Sequence, residues 1–184
     1  MGDKMELVTM ENLFMLFFGA IVIDFVTGVL GSEEARRAIP AVKNKIESYL
    51  NAPNHTIIYT QDTHYEDYLE TQEGKNLPVP HCISGTDGWK VVSFVDNANC
   101  PHLCKPTFGF GGWGFAINED EVEEIELIGF CTDICVISNA LLLKARFPEI
   151  KITVDASCCA GVTPEKHAAA LEVMKSCQIN VINE

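Results

Sequence analysis

The chain has 184 residues, 47% of them hydrophobic and 21% charged, with a formal net charge of −13 at pH 7. That balance describes a folded domain and excludes a disordered chain, while the acidic excess argues against nucleic acid and anionic membrane as partners. The length fits a single domain over residues 1–184.

Leu13 to Ile23 is the one run apolar enough to consider for a membrane, but it has about half the length of a bilayer span and ends in Asp24. It lacks the basic flank and small-residue cleavage site of a signal peptide, so a cytoplasmic protein is expected. Its second half reads as a buried strand, Phe17–Asp24. A helix follows over Glu33–Leu50 and a strand over Thr56–Thr60. Gln61 to Gly88 is rich in Gly, Pro and polar residues and reads as irregular. Strand-like residues return at Trp89–Phe94, before a Gly/Phe-rich loop from Lys105 to Phe115. An acidic helix is expected near Asn118–Glu124, and the acidic run Glu119–Glu126 reads as a solvated helix face. Then come a strand at Glu126–Gly129, a helix at Asp133–Arg146, a strand at Lys151–Val154, a helix at Pro164–Cys177 and a strand at Asn180–Ile182. Thr163-Pro164-Glu165 is a good helix start, with Thr as cap and Pro at the first helical position. Short apolar strands alternating with helices predict an α/β fold, a parallel sheet covered on both faces.

Ligands of such sheets bind beyond the carboxyl ends of the strands. That rule selects Asp24, Gln61-Asp62 and Cys131 to Cys135, each directly after a predicted strand. Cys135 is expected in the first turn of a helix, where free N–H groups and the helix dipole lower a thiol pKa and hold an oxyanion. The chain has eight cysteines and no C-x-x-C pair. Without a secretory signal they read as free thiols in a reducing compartment, not as a disulfide scaffold or zinc ribbon.

Asp62-Thr63-His64 puts two ligand-type side chains on one side of an extended segment, and His81 follows. A carboxylate with two imidazoles suits Zn²⁺, Fe²⁺ or Mn²⁺ with positions left open. Glu66, Asp67, Glu70 and Glu73 lie between, and each either completes a site or is solvated. His55, His102 and His167 are expected to be structural or surface residues. Lys105 sits before the Gly/Phe-rich loop, where a lone lysine is ordinarily a surface residue.

The order Asp24, Asp62-Thr63-His64, His81-Cys82-Ile83-Ser84-Gly85-Thr86, Lys105 and Gly129-Phe130-Cys131-Thr132-Asp133-Ile134-Cys135 resembles the isochorismatase-like cysteine hydrolases, within them the nicotinamidases most. The resemblance runs from about Ala20 to Ile182 and implies a three-layer α/β/α fold with a six-stranded, mostly parallel sheet. It implies a catalytic triad of Asp24, Lys105 and Cys135, a cis Phe130–Cys131 bond, and an oxyanion hole of the Cys131 and Cys135 N–H groups. A divalent metal, Zn²⁺ in the first place, would be held by Asp62, His64 and His81, with Glu73 as a fourth ligand because some relatives use a Glu in this loop. The implied reaction converts nicotinamide to nicotinic acid and ammonia in NAD salvage, through a cysteine thioester. The alternative is a related cysteine amidase acting on another small amide or ureido compound. Relatives commonly self-associate, so a homo-oligomer is an implied state.

The chain departs from that pattern where relatives carry ring-stacking aromatics: here stand Val29 and Leu77 or Pro78. The substrate is therefore expected to pack against Phe25, Val29, Tyr65, Leu77, Phe108 and Phe130.

Overall fold

The computed structural model describes residues 17–26, 32–93, 96–97 and 99–184. Six strands form one sheet: β1 (Phe17–Ile23), β2 (His55–Asp62), β3 (His102–Lys105), β4 (Val122–Phe130), β5 (Lys151–Ala160) and β6 (Asn180–Ile182). Their order is β3-β2-β1-β4-β5-β6, and all five neighbouring pairs are parallel. The sheet expected to be mostly parallel is thus wholly so. In this order the winding reverses between β1 and β4, which opens a crevice at their carboxyl ends.

The strands read as near-continuous apolar runs because both faces are covered. On one face α1 (Glu33–Asn51) lays Ala35, Ala38, Val42, Ile46 and Tyr49 against Ala20, Val22, Ile128 and Phe130. Ser32 caps it, its hydroxyl accepting from the Ala35 N–H at 3.0 Å. On the other face α4 (Ile137–Arg146) and α5 (Pro164–Ser176) bury Ala140, Leu143, Leu171 and Met174 over Ile21, Ile23, Ile125 and Leu127. Two short helices, α2 (Gln72–Asn76) and α3 (Trp113–Ala116), lie in the connections around β3. No helix among the described residues is long and apolar enough to cross a membrane.

Three local expectations are corrected. Trp89–Phe94 is not a strand: Val91 makes only an isolated antiparallel bridge to Val26, and Phe94 lies outside the described residues. The Trp89 indole N–H instead donates to Thr63 Oγ1 at 2.9 Å, and its carbonyl accepts from Gln61 Nε2 at 2.7 Å, clasping the end of β2. The third strand is His102–Lys105, so Lys105 ends a strand and does not open a loop. The acidic stretch Asn118–Glu124 is a turn running into β4, because pairing with β1 and β5 on either side outweighs helix propensity. Glu126 is consequently buried, paired with Lys45 at 2.8 Å and accepting from the Tyr49 hydroxyl, not solvated.

Candidate active site

Four strand ends converge. Asp24 follows β1 at a positive φ of 44°, Asp62 ends β2, and Lys105 ends β3. β4 ends at Phe130, whose bond to Cys131 is cis. The chain then makes one π turn, Thr132–Val136, before α4 begins, and Cys135 lies in that turn. β1 approaches β4 closely because Gly129, at φ 126°, has no side chain: a Cβ there would stand 2.1 Å from the Ile23 carbonyl oxygen.

Asp24 and Lys105 are wholly buried, and Cys135 is 9% exposed. Lys105 Nζ lies 2.6 Å from Asp24 Oδ2, 3.4 Å from Asp62 Oδ1 and 3.6 Å from Cys135 Sγ. It also donates to the Thr107 carbonyl at 3.1 Å. The Thr60 hydroxyl donates to Asp24 Oδ1 at 2.9 Å and accepts from the Asp24 N–H at 3.2 Å, which fixes the carboxylate. The Cys135 thiol accordingly shares the Lys105 ammonium with Asp24.

The charges decide the protonation state. Burial pulls the Lys105 ammonium down, but the neighbouring Asp24 and Asp62 carboxylates outweigh it and hold the lysine above its ordinary range. Burial raises the Asp24 carboxyl, and Lys105 only partly offsets this. Burial and then the Asp24 charge push the Cys135 thiol well above its ordinary value, with Lys105 opposing. This corrects the expected low thiol pKa. Two carboxylates already face one ammonium, and a thiolate would add a third negative charge. Burial and charge thus favour the neutral thiol and raise the proton affinity of the Asp24 carboxylate beside it.

Beside this cluster lies a second one. Asp62, His64 and His81 each aim a ligand atom at a common space, all within 4.8 Å of one another. Asp62 Oδ2 is 3.3 Å from His64 Nε2 and 3.6 Å from His81 Nε2. Glu73 Oε1, from α2, is 3.5 and 3.7 Å from the same two nitrogens. A tetrahedral zinc ion with ligand bonds of about 2.0–2.2 Å separates its donors by roughly 3.3–3.6 Å, so the residues present fit such an ion. His64 Nε2 is buried without a hydrogen-bond partner, which leaves its lone pair to be satisfied by a cation. His81 Nδ1 lies 2.9 Å from the Val79 carbonyl, an arrangement that turns Nε2 toward the cluster.

The two clusters share one cleft of about 320 Å³, lined by Asp62, Glu73, Leu77, Val79, His81, Phe108, Cys131, Ile134 and Cys135. Of the expected packing residues, Leu77 and Phe108 line it. Phe25 and Phe130 are wholly buried, their rings 5.2 Å apart, and are not among its lining residues. Tyr65 is 61% exposed and borders a different depression with Glu66 and Asp67, and Val29 lies outside the described residues. Val79 and Ile134 carry no signal in the sequence, and neither do Thr60 or Asn139, whose Nδ2 donates to the Cys135 carbonyl at 2.8 Å. An aliphatic residue beside a motif carries no chemical signal in a sequence. A threonine in a strand carries none either.

A family model described as the isochorismatase domain matches residues 18–184. A search of curated protein sequences found no match. Among solved structures, a nicotinamidase/pyrazinamidase from Bacillus subtilis is similar over 91% of this chain and 100% of its own, with a TM-score of 0.80 and 21% identity. A pyrazinamidase of Pyrococcus horikoshii in complex with zinc gives 0.77 and 23% over 91% and 99% of the two chains. An N-carbamoylsarcosine amidase from Thermoplasma acidophilum gives 0.74 and 21% over 90% and 95%.

Proposed function

The chain belongs to the isochorismatase-domain family of hydrolases, and on that premise we propose that it is a cysteine amidohydrolase, specifically a nicotinamidase that forms nicotinic acid and ammonia. The observation that carries the reading is the Asp24–Lys105–Cys135 cluster sharing a cleft with the Asp62–His64–His81–Glu73 cluster. The likeness to a nicotinamidase/pyrazinamidase and to a zinc-bound pyrazinamidase supports it.

In this reading the substrate carboxamide enters between Phe108 and Ile134 with its carbon facing Cys135 Sγ. Asp24 takes the thiol proton as sulfur attacks, so no free thiolate accumulates at rest. Lys105 keeps its charge throughout and offsets the negative charge that moves between Asp24 and sulfur. The oxyanion rests on the Cys131 and Cys135 N–H groups. Protonated Asp24 then gives its proton to the departing ammonia, leaving a thioester on Cys135. Asp24, again a carboxylate, takes a proton from water, the resulting hydroxide attacks the thioester, and the acid leaves as the proton returns to sulfur. Asp62, His64, His81 and Glu73 would hold a divalent ion, with zinc our assignment, whose contribution is to bind and orient a ring nitrogen of the substrate. Leu77, Val79 and Ile134 pack the ring's faces and edge together with Phe108.

A related amidase acting on a ureido compound is the second reading. It is favoured by one observation, that among the described residues Phe108 is the one phenylalanine, tyrosine or tryptophan lining the cleft, and a ureido substrate needs no ring-stacking pair. The experiment that separates them is ammonia release by purified protein from nicotinamide and from N-carbamoylsarcosine, before chelation, after it, and after zinc add-back. Zinc-dependent release from nicotinamide, absent in Cys135→Ala, is the expected result. Release only from the ureido compound would replace the first reading with the second. Release that persists in Cys135→Ala would remove the nucleophile assignment from both.

A further inference from the structure

Asn139 is wholly buried on α4, one turn beyond Cys135, and its amide is engaged on both sides. Its Nδ2 donates to the Cys135 carbonyl at 2.8 Å and to the Phe108 carbonyl at 3.0 Å, while its Oδ1 accepts from the Phe110 N–H at 2.8 Å. One side chain therefore ties the turn that carries the thiol to a loop some thirty residues away in sequence. The loop is seated on α4 as well: a Cβ on Gly109 would stand 2.5 Å from Leu142 Cδ1. Its other end is held by Lys105, through the Thr107 carbonyl. Beyond it, the Phe110 ring meets the buried Trp113 ring edge-on at 5.0 Å.

The Phe108 ring itself is 42% exposed. A ring that open has little packing of its own to hold it, so its position follows from the backbone that carries it. Asn139 holds that backbone directly after the ring, at the Phe108 carbonyl and the Phe110 N–H, alongside the Lys105 and Leu142 contacts.

We propose that Asn139 is a positioning residue for substrate binding, holding the Phe108 wall of the cleft at a set distance from the Cys135 thiol. Small amides with a flat apolar body, such as a heteroaromatic ring, are the class that this wall selects. The inference rests on the amidohydrolase reading above. A purely structural amide in the same place would affect folding without acting through the Phe108 ring, and the two roles are separable by kinetics.

The test is steady-state hydrolysis of nicotinamide by zinc-loaded wild type, Asn139→Ala, Asn139→Ser, Phe108→Ala and the Phe108→Ala/Asn139→Ser double variant. Ser at 139 is short enough to keep a bond to the Cys135 carbonyl one turn back but cannot reach the loop, so it spares the nucleophile turn if Ala does not fold. KM is expected to rise about tenfold in Asn139→Ser and in Phe108→Ala, with kcat changed far less. In the double variant KM should match that of Phe108→Ala alone, because the tether acts through the ring that has been removed. Multiplying KM effects, or a wild-type KM in Asn139→Ser accompanied only by a lower melting temperature, would overturn the inference and leave the amidohydrolase reading intact. No ammonia from nicotinamide with the wild type would overturn the nicotinamidase reading and this inference together.

Discussion

Lys105 Nζ and Asp24 Oδ2 stand 2.6 Å apart with neither side chain exposed to solvent. A buried pair of this kind is costly to break, since the surviving charge is left in a medium that cannot solvate it. Here the cost is compounded, because Asp62 Oδ1 also leans on the same ammonium at 3.4 Å. Stability, and in the proposed mechanism chemistry as well, thus depend on one nitrogen atom.

Lys105→Met is expected to destabilise the fold by about 3–5 kcal/mol, measured by urea unfolding. Turnover should fall by on the order of a thousandfold or more. Adding Asp24→Asn should restore part of the stability, because fewer uncompensated charges remain, and none of the activity. Full activity in Lys105→Met would remove the lysine from the mechanism.

Chelation should lower the melting temperature. An ion present at a thousand times its dissociation constant contributes about 4 kcal/mol to a fold that binds it. His81→Ala should lower bound metal in elemental analysis, and Glu73→Gln should lower it as well, since Glu73 Oε1 lies 3.5 and 3.7 Å from the two imidazole nitrogens. Unchanged metal in Glu73→Gln would reduce the ligand set to Asp62, His64 and His81.

Gly129→Ala should be among the most damaging single changes. The new methyl would fall 2.1 Å from the Ile23 carbonyl oxygen, at a φ of 126°. Both strands would have to separate just before Asp24 and Cys131. A loss of more than about 4 kcal/mol is expected, read by denaturant unfolding. A wild-type midpoint would show that β1 and β4 can shift apart freely.

Alkaline pH should destabilise the protein before lysines titrate. Burial, helped by the charges of Asp133 and Asp24, pushes the Cys131 thiol up to about 11 from its ordinary 9.0. Burial with the Asp155 charge does the same to Cys158, also to about 11. Between those values the folded state holds protons that the unfolded state has released, so stability is full below pH 9 and falls as pH rises toward 11. Each thiol contributes a slope of about 1.4 kcal/mol per pH unit. Urea melts at pH 8 and pH 10 on wild type and on Cys158→Ala measure it, and equal slopes for the two proteins would discount Cys158.

Much of the molecule is legible along the chain. The run into Asp24, the cap at Thr163 and the strand, turn and helix around Cys135 each declare themselves within a dozen residues. Hydrophobic period, capping and turn chemistry act over that range. The third strand leaves no mark in the sequence because His102–Lys105 is four residues at the sheet edge, too short for any period to show. The acidic start of β4 reads as helix because its pairing partners are a hundred residues upstream and thirty downstream.

The sequence alone thus determines the alternation of strands and helices and names Asp24, Cys135 and the Asp62, His64 and His81 donors. These follow from residue type and local spacing. Only the tertiary structure decides that β3 lies against β2, so that a lysine from a short edge strand meets Asp24. Only there is the Cys135 thiol pushed above its ordinary range, because its pKa sums burial and charges from three strand ends. And only there does Asn139 join the Cys135 turn to the wall of the cleft. Strand order, desolvation and through-space charge are sums over residues far apart in the chain, and no local pattern carries them.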